Sequence, residues 1–227
     1  MPAASARAGS HQRATTCWPR LSTTITWACC SLLVGCGRPG STDGAQASWS
    51  RALEGRAAAA AGVPNLAADR FFQARRAAAA NIPDTPTHAA PVYRRIRDFG
   101  MLEAAEWCRV GEYGYAALAL QATIADLGGE GVEDSAERPV DTLRLLVQTC
   151  RDLAGEQIDL GADWQRFRTA APDRALSHVT ALVDAALSPY DHNTYASGPD
   201  GSSMGVLLHR LAETAKGTAH ATAGAAP

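Results

Sequence analysis

Surplus positive charge is the first thing this 227-residue chain lacks: 21 Lys and Arg stand against 23 Asp and Glu, and Lys216 is the sole lysine. Without a basic excess there is nothing to hold a nucleic-acid backbone or to gather anionic lipid headgroups. Valine and isoleucine are sparse and show no sustained alternation with polar residues, which argues against β-strands. Long apolar runs are missing too. The longest apolar or small-residue stretch, Ile25 to Gly35, covers only about half of a roughly 30 Å hydrocarbon core at about 1.5 Å per residue, a poor match for a retained transmembrane helix. No Cys-x-x-Cys pair supports a thioredoxin-like redox role, and no His-x-x-x-His spacing marks a metal-ligand set.

What is present begins at the amino end. Arg7, Arg13 and Arg20 stand in the first 36 residues with no Asp or Glu, and the short apolar stretch follows them, as the n-region and h-region of an export signal do. The stretch closes with Leu33, Val34, Gly35 and Cys36. Over residues 20–36 this resembles the lipobox of bacterial lipoproteins, in which a branched apolar residue, a small or branched one and Gly or Ala precede a cysteine that becomes lipidated. The resemblance implies that residues 1–35 are a signal peptide and that Cys36 opens the mature protein with a diacylglyceryl group. The alternative is an ordinary signal peptide cut elsewhere, but that cleavage prefers small residues at both minus-one and minus-three, and Leu33 occupies minus-three. One acyl chain holds a protein at a membrane only marginally, whereas two make the attachment stable. Gly37 lacks the Asp associated with inner-membrane retention in some groups. The expected address is therefore the outer membrane, periplasm-facing and lipid-anchored, or, in a one-membrane bacterium, the outer face of the plasma membrane.

Removal of residues 1–35 leaves 18 Lys and Arg against 23 Asp and Glu, a net of minus five. It also takes away Cys17, Cys29 and Cys30, and the lipid consumes Cys36, so Cys108 and Cys150 remain. Two cysteines in an oxidising compartment are expected to pair as a disulfide, contributing about 4 kcal/mol in the chain-entropy model. The other reading is two buried free thiols packing as small hydrophobes.

Residues 36–47 read as the lipidated cysteine and a flexible tether, 48–216 as a helical domain, and 217–227 as a disordered tail rich in Ala, Thr and Gly. The expected fold is all-α, an irregular bundle or stack of about seven helices. Ser48 is placed as the cap of a first helix ending at Gly62, and Asn65 as the cap of a second running through Phe71, Phe72 and Ala77 to Ala80. Pro83, Pro86 and Pro91 are expected to break the chain before a third helix from about Pro91 to Arg109. Tyr113, Ala117, Leu120, Ile124 and Leu127 form one stripe at helical spacing; Leu143, Leu146, Val147, Cys150 and Leu153 form another, with Cys150 on the buried face. Asp163 to Ala170, Leu176 to Leu187, and a segment through Met204, Leu207, Leu208 and Leu211 complete the helices. Near residues 97–130, Ala104, Trp107, Gly111, Tyr113, Ala116, Leu120 and Thr123 are similar to one tetratricopeptide repeat, a helical hairpin turning at Gly111 to Tyr113. The next 34 residues do not repeat the pattern.

The candidate chemistry competes with plainer readings. Gly201, Ser202, Ser203, Met204 and Gly205 match a Gly-x-Ser-x-Gly elbow, but no apolar strand precedes Ser203, and a loop followed by a helix cap explains it. Asp191, His192 and Asn193, with His178 or His209 nearby in space, would make a metal or acid/base site, or simply a surface turn. Glu103 and Glu106 stand one helical turn apart, either as paired carboxylates or as a solvated face near Arg109. The balance favours a membrane-anchored periplasmic lipoprotein that is not an enzyme: a helical protein-interaction or accessory subunit of an envelope system for assembly, secretion or conjugation. Its expected partners are the membrane, through the anchor, and an envelope protein, with no nucleic acid and no cofactor. The alternative is a small envelope hydrolase or metal-dependent enzyme built on Asp191 and His192. A third option, a helical small-ligand binder, requires a cavity between the helices.

Overall fold

The computed structural model describes residues 42–129, 134–170, 175–187 and 204–223, and the described residues form eight α-helices and no strand. In chain order these are α1 (Thr42–Ala60), α2 (Pro64–Ala79), α3 (Pro86–Arg109), α4 (Tyr113–Asp126), α5 (Val140–Leu153), α6 (Leu160–Ala170), α7 (Leu176–Leu187) and α8 (Gly205–Ala223). Each of the first five packs on its successor, α4 also reaches back to α2, α7 lies on α3, and α8 closes against α5, α6 and α7. The all-α expectation is met.

Local chemistry explains most boundaries. α1 stops where Gly62 takes φ +72°, a left-handed conformation open to glycine at little cost, while the amides of Ala61, Gly62 and Val63 bond back to the carbonyls of Ala57, Ala59 and Ala58. The hairpin expected near residues 97–130 is present as α3 and α4. Gly111 (φ +78°) makes the turn, and the Glu112 amide returns 2.9 Å to the Trp107 carbonyl. α3 has 24 residues and begins at Pro86, well ahead of the stretch near residues 97–130 that resembles the repeat. Both stripes point inward: Ala117, Leu120, Ile124 and Leu127 are buried on one, Leu143, Leu146, Val147 and Cys150 on the other.

Four boundaries differ from expectation. α1 begins at Thr42, so residues 42–47 are helix where a flexible tether was expected, and Ser48 is an interior residue donating its hydroxyl to the Ala45 carbonyl. α2 begins at Pro64, with Val63 before it and no side-chain cap; proline at the first helical position loses no helical hydrogen bond, and Asn65 lies inside the helix. α3 begins at Pro86 and carries Pro91 inside it, where the missing amide costs one bond to the exposed Thr87 carbonyl, which water can satisfy. α8 continues through Gly217 to Ala223, so that stretch of the expected disordered tail is helical.

The interior is unusually rich in alanine, with Ala52, Ala67, Ala74, Ala104, Ala105 and Ala116 all buried. Small side chains allow close helix approach. At the tightest point an added Cβ on Gly100 of α3 would lie 1.9 Å from Thr123 Oγ1 of α4, so only glycine fits there without displacement. Gly55 of α1 similarly lies under the Phe71 ring of α2.

Candidate functional site

The densest polar chemistry among the described residues is inside the fold. α2 presents Phe71, Ala74 and Ala78 to its neighbours at helical spacing, and Arg75 falls on that same inward face, wholly buried. Its guanidinium meets Glu103 of α3, with Nε 3.1 Å from a carboxylate oxygen, and Asp126 of α4 through Nη1. Arg76, on the exposed side of α2, reaches Asp126 at 2.8 Å. The Arg75 guanidinium carbon also stands 5.4 Å from the Phe72 ring centre. Two cations thus meet two carboxylates, and Arg75 Nη2 is left buried without a partner.

Burial raises the pKa of Glu103 above the ordinary 4.5; the charge and hydrogen bond of Arg75 oppose this, and the neighbouring Asp126 and Asp69 add to it. Glu106, one turn on, is fully buried, with an oxygen 2.9 Å from Arg109 Nη2. Glu103 and Glu106 are therefore neither a solvated face nor a carboxylate pair sharing a proton, because each has its own arginine. Neither Arg75, Glu103 nor Asp126 lines any of the four clefts described here, so the cluster acts as an internal tie between α2, α3 and α4. Asp98 of α3 is also raised by burial, against its ion pair to Arg97 at 2.7 Å.

A second cluster lies at the carboxyl ends of α3 and α5. Cys108 and Cys150 are both buried and present as thiols, close enough to share a hydrogen bond. That hydrogen bond and burial push the Cys150 thiol well above its usual value, which keeps it protonated and unreactive as a nucleophile. Burial, together with the two thiols, also raises the Tyr113 hydroxyl.

Clefts open on the surface of the described residues, four of which are well formed. One of about 660 Å³ runs between α4, α5 and α6 over Ile124, Leu145, Val147 and Phe167, and carries the ion pairs Arg144–Asp141 (2.9 Å) and Arg166–Asp163. A cleft of about 540 Å³ lies beside Tyr115 and Leu118, one of about 400 Å³ where α1, the end of α2 and α3 meet, and one of about 300 Å³ beside Tyr93.

The remaining sequence candidates separate. His178 is exposed, and His209 is exposed and faces Glu213 at 3.5 Å. Cys36, Asp191, His192, Asn193 and Ser203 lie outside the described residues. Among the described residues no group of three His, Cys, Asp or Glu could hold a metal ion, and no helix is long and apolar enough to cross a membrane. Sequence reasoning missed Arg75 and Asp126. The available signal was an arginine at a stripe position between Phe71 and Ala78. Comparison with protein-family models, with curated proteins and with solved structures finds no match, so this chain's own residues carry the functional reading.

Proposed function

We propose that this chain is a lipid-anchored envelope protein whose helical domain docks a protein partner, as an accessory subunit of an assembly, secretion or conjugation system. The anchor rests on Leu33 to Cys36 and the basic and apolar segments before it. The observation that carries the docking role is an apolar patch at the α3–α4 turn. Val110, Tyr115 and Leu118 are 41%, 56% and 59% exposed, and the Trp107 ring supports Tyr115 from 5.0 Å. Glu112 and the ion pair Arg151–Glu156 (2.6 Å) rim the adjoining cleft. An aromatic and aliphatic centre with a charged rim is how protein interfaces are built.

The proposal extends to the thiols. In an oxidising compartment Cys108 and Cys150, adjacent in the fold, are joined while the chain is folding and the thiols are still accessible: a disulfide-bearing oxidant of that compartment takes up the two electrons and two protons, and the new S–S bond ties α3 to α5. The test has two arms in the native host. Cys36→Ser should abolish palmitate labelling and release the chain from membranes; Leu118→Glu should leave the anchor intact and remove the partner recovered by crosslinking. An unchanged membrane fraction for the first refutes the anchor, and unchanged crosslinks for the second refute the patch.

A further inference from the structure

The cleft between α1, the end of α2 and α3 differs from the three others in its lining, since each of those carries two carboxylates. Gly44 and Ser48 of α1, Asn81 after α2, and His88, Val92 and Arg95 of α3 line it, enclosing about 400 Å³. No carboxylate lines it among the described residues. Arg95 is half-buried, makes no ion pair with any described carboxylate, and holds its Nε sealed from solvent without an acceptor. Every other buried or half-buried arginine among the described residues faces a carboxylate or, for Arg138, the Tyr93 ring at 5.0 Å. The nearest acid in sequence on the same helix, Asp98, is engaged by Arg97.

A half-buried guanidinium loses hydration, and a neighbouring anion recovers that loss most fully. Among the described residues such an anion stands beside every comparable arginine except Arg138, which has the Tyr93 ring, and Arg95, which has neither. We propose that the cleft is a binding site for a phosphate group, with Arg95 as its counter-charge. His88 adds a second donor. The Thr85 hydroxyl lies 2.8 Å from its Nδ1, and in the tautomer where Nδ1 accepts that hydrogen bond Nε2 carries the ring hydrogen. Asn81 spends one Nδ2 hydrogen on the Ala77 carbonyl at 2.8 Å, masking an acceptor at the end of α2 that would repel an anion, and keeps a second hydrogen. Donors on α3 and at the end of α2 call for an anion with several acceptor oxygens, which a phosphate supplies, and the volume of about 400 Å³ admits a phosphate ester with a small alcohol attached. The site is independent of the anchor and of the apolar patch, which lies on other residues.

The test uses the full chain purified in a phosphate-free maltoside detergent, titrated with sodium phosphate, glycerol 3-phosphate, a short-chain phosphatidylglycerol and sodium acetate at constant ionic strength. The urea unfolding midpoint and the Arg95 Nε–H resonance are read together. Phosphate is expected to raise the midpoint by the logarithmic law of ligand linkage and to shift the Arg95 signal saturably. Arg95→Gln should weaken binding by about tenfold or more, the loss expected for one charge-assisted contact, while leaving the phosphate-free chain at least as stable as before. His88→Gln should weaken binding less, and Arg168→Gln not at all. Preference for the diester identifies a lipid headgroup as the source, and preference for the monoesters a soluble phosphate. Acetate acting as well as phosphate, chloride matching every ligand, or an Arg95→Gln chain that responds like the parent would each overturn the site. Should Arg95→Gln fail to fold, Arg95→Lys and Asn81→Ala make the same comparison.

Discussion

Replacing Arg75 by methionine keeps the length and apolar stem of the side chain and removes its charge, leaving Glu103 buried without a cation and Asp126 with the exposed Arg76 alone. Breaking a buried ion pair from one side costs about 3–5 kcal/mol, against a total stability of about 5–15 kcal/mol for a domain of ordinary size. The deficit has a ceiling. A stranded carboxylate takes up a proton before it pays the full cost of a buried charge, and Glu103 is already raised by burial while Arg75 is in place. The sign follows. An acid whose folded pKa exceeds its unfolded one favours the folded state below the unfolded pKa, and that contribution is lost as pH rises through the folded one. Without Arg75 this window moves further upward, so the Arg75→Met deficit should be largest near pH 7 and shrink toward pH 5, by at most about 1.4 kcal/mol per pH unit for each carboxylate. Urea unfolding followed by circular dichroism at several pH values measures it. Adding Glu103→Gln and Asp126→Asn should recover most of the loss, because no charge then remains to be compensated. A deficit that ignores pH, or that persists in the triple variant, would mean that packing and not charge is what Arg75 supplies.

Three further outcomes are expected. Glu103→Gln in the parent chain should cost less near pH 7 than at pH 4, because the parent gains stability when Glu103 is protonated and the amide does not; a gap that widens toward neutrality, in the same unfolding series, contradicts the upward shift. Gly100→Ala should destabilise by about 1–3 kcal/mol through overpacking, although alanine is the better helix former, and Thr123→Ala should return part of the loss, since Oγ1 and Cγ2 lie 1.9 and 2.7 Å from the new methyl. Exported protein alkylated before and after reduction should differ by two adducts, and Cys108→Ala should abolish the difference and lower stability by about 4 kcal/mol if the chain-entropy model holds.

Helix identity was legible in the sequence wherever apolar residues recur at three and four, as in α4 and α5, because burying that face is the reason the helix forms. Boundaries were less so. Pro91 reads as a stop, yet its cost falls on one solvent-exposed carbonyl, and the burial of Val92, Ile96 and Phe99 beyond it outweighs that cost. Residues 42–47 have the composition of a linker; they are helical because Ser48 and Ala52 pack beside α2, a tertiary effect that no local window contains. The site was harder still. Glu103 and Glu106 look solvated because glutamate usually is, and only the guanidinium arriving from a helix 28 residues earlier makes burial of Glu103 tolerable. Arg95 is a different case, since what distinguishes it is a partner it does not have, and only the folded chain shows which arginines are paired.

The same alanine content that brings the helices close explains why charges sit between them. A face built of methyl groups is nearly uniform along the helix, so an alanine-lined α2 would pack almost as well against α3 after sliding by a turn. Long apolar side chains would resolve that degeneracy by interlocking, but Leu and Phe are few on this face of α2, where Phe71 stands among Ala67, Ala68, Ala74 and Ala78. Arg75 resolves it by geometry. Its Nε and Nη1 must meet Glu103 on α3 and Asp126 on α4 at once, and a slide of one turn, about 5.4 Å, would break both contacts and strand the charges of Arg75 and Glu103 in the interior. Gly100 against Thr123 sets the α3–α4 register in the complementary way, by excluding every alignment that would place a side chain there. Attraction at one point and exclusion at another thus fix three small-faced helices relative to one another. The amino-terminal half of α3, carrying His88 and Arg95, is held by the same helix, so the position of the proposed phosphate cleft depends on a register set by residues that never touch it.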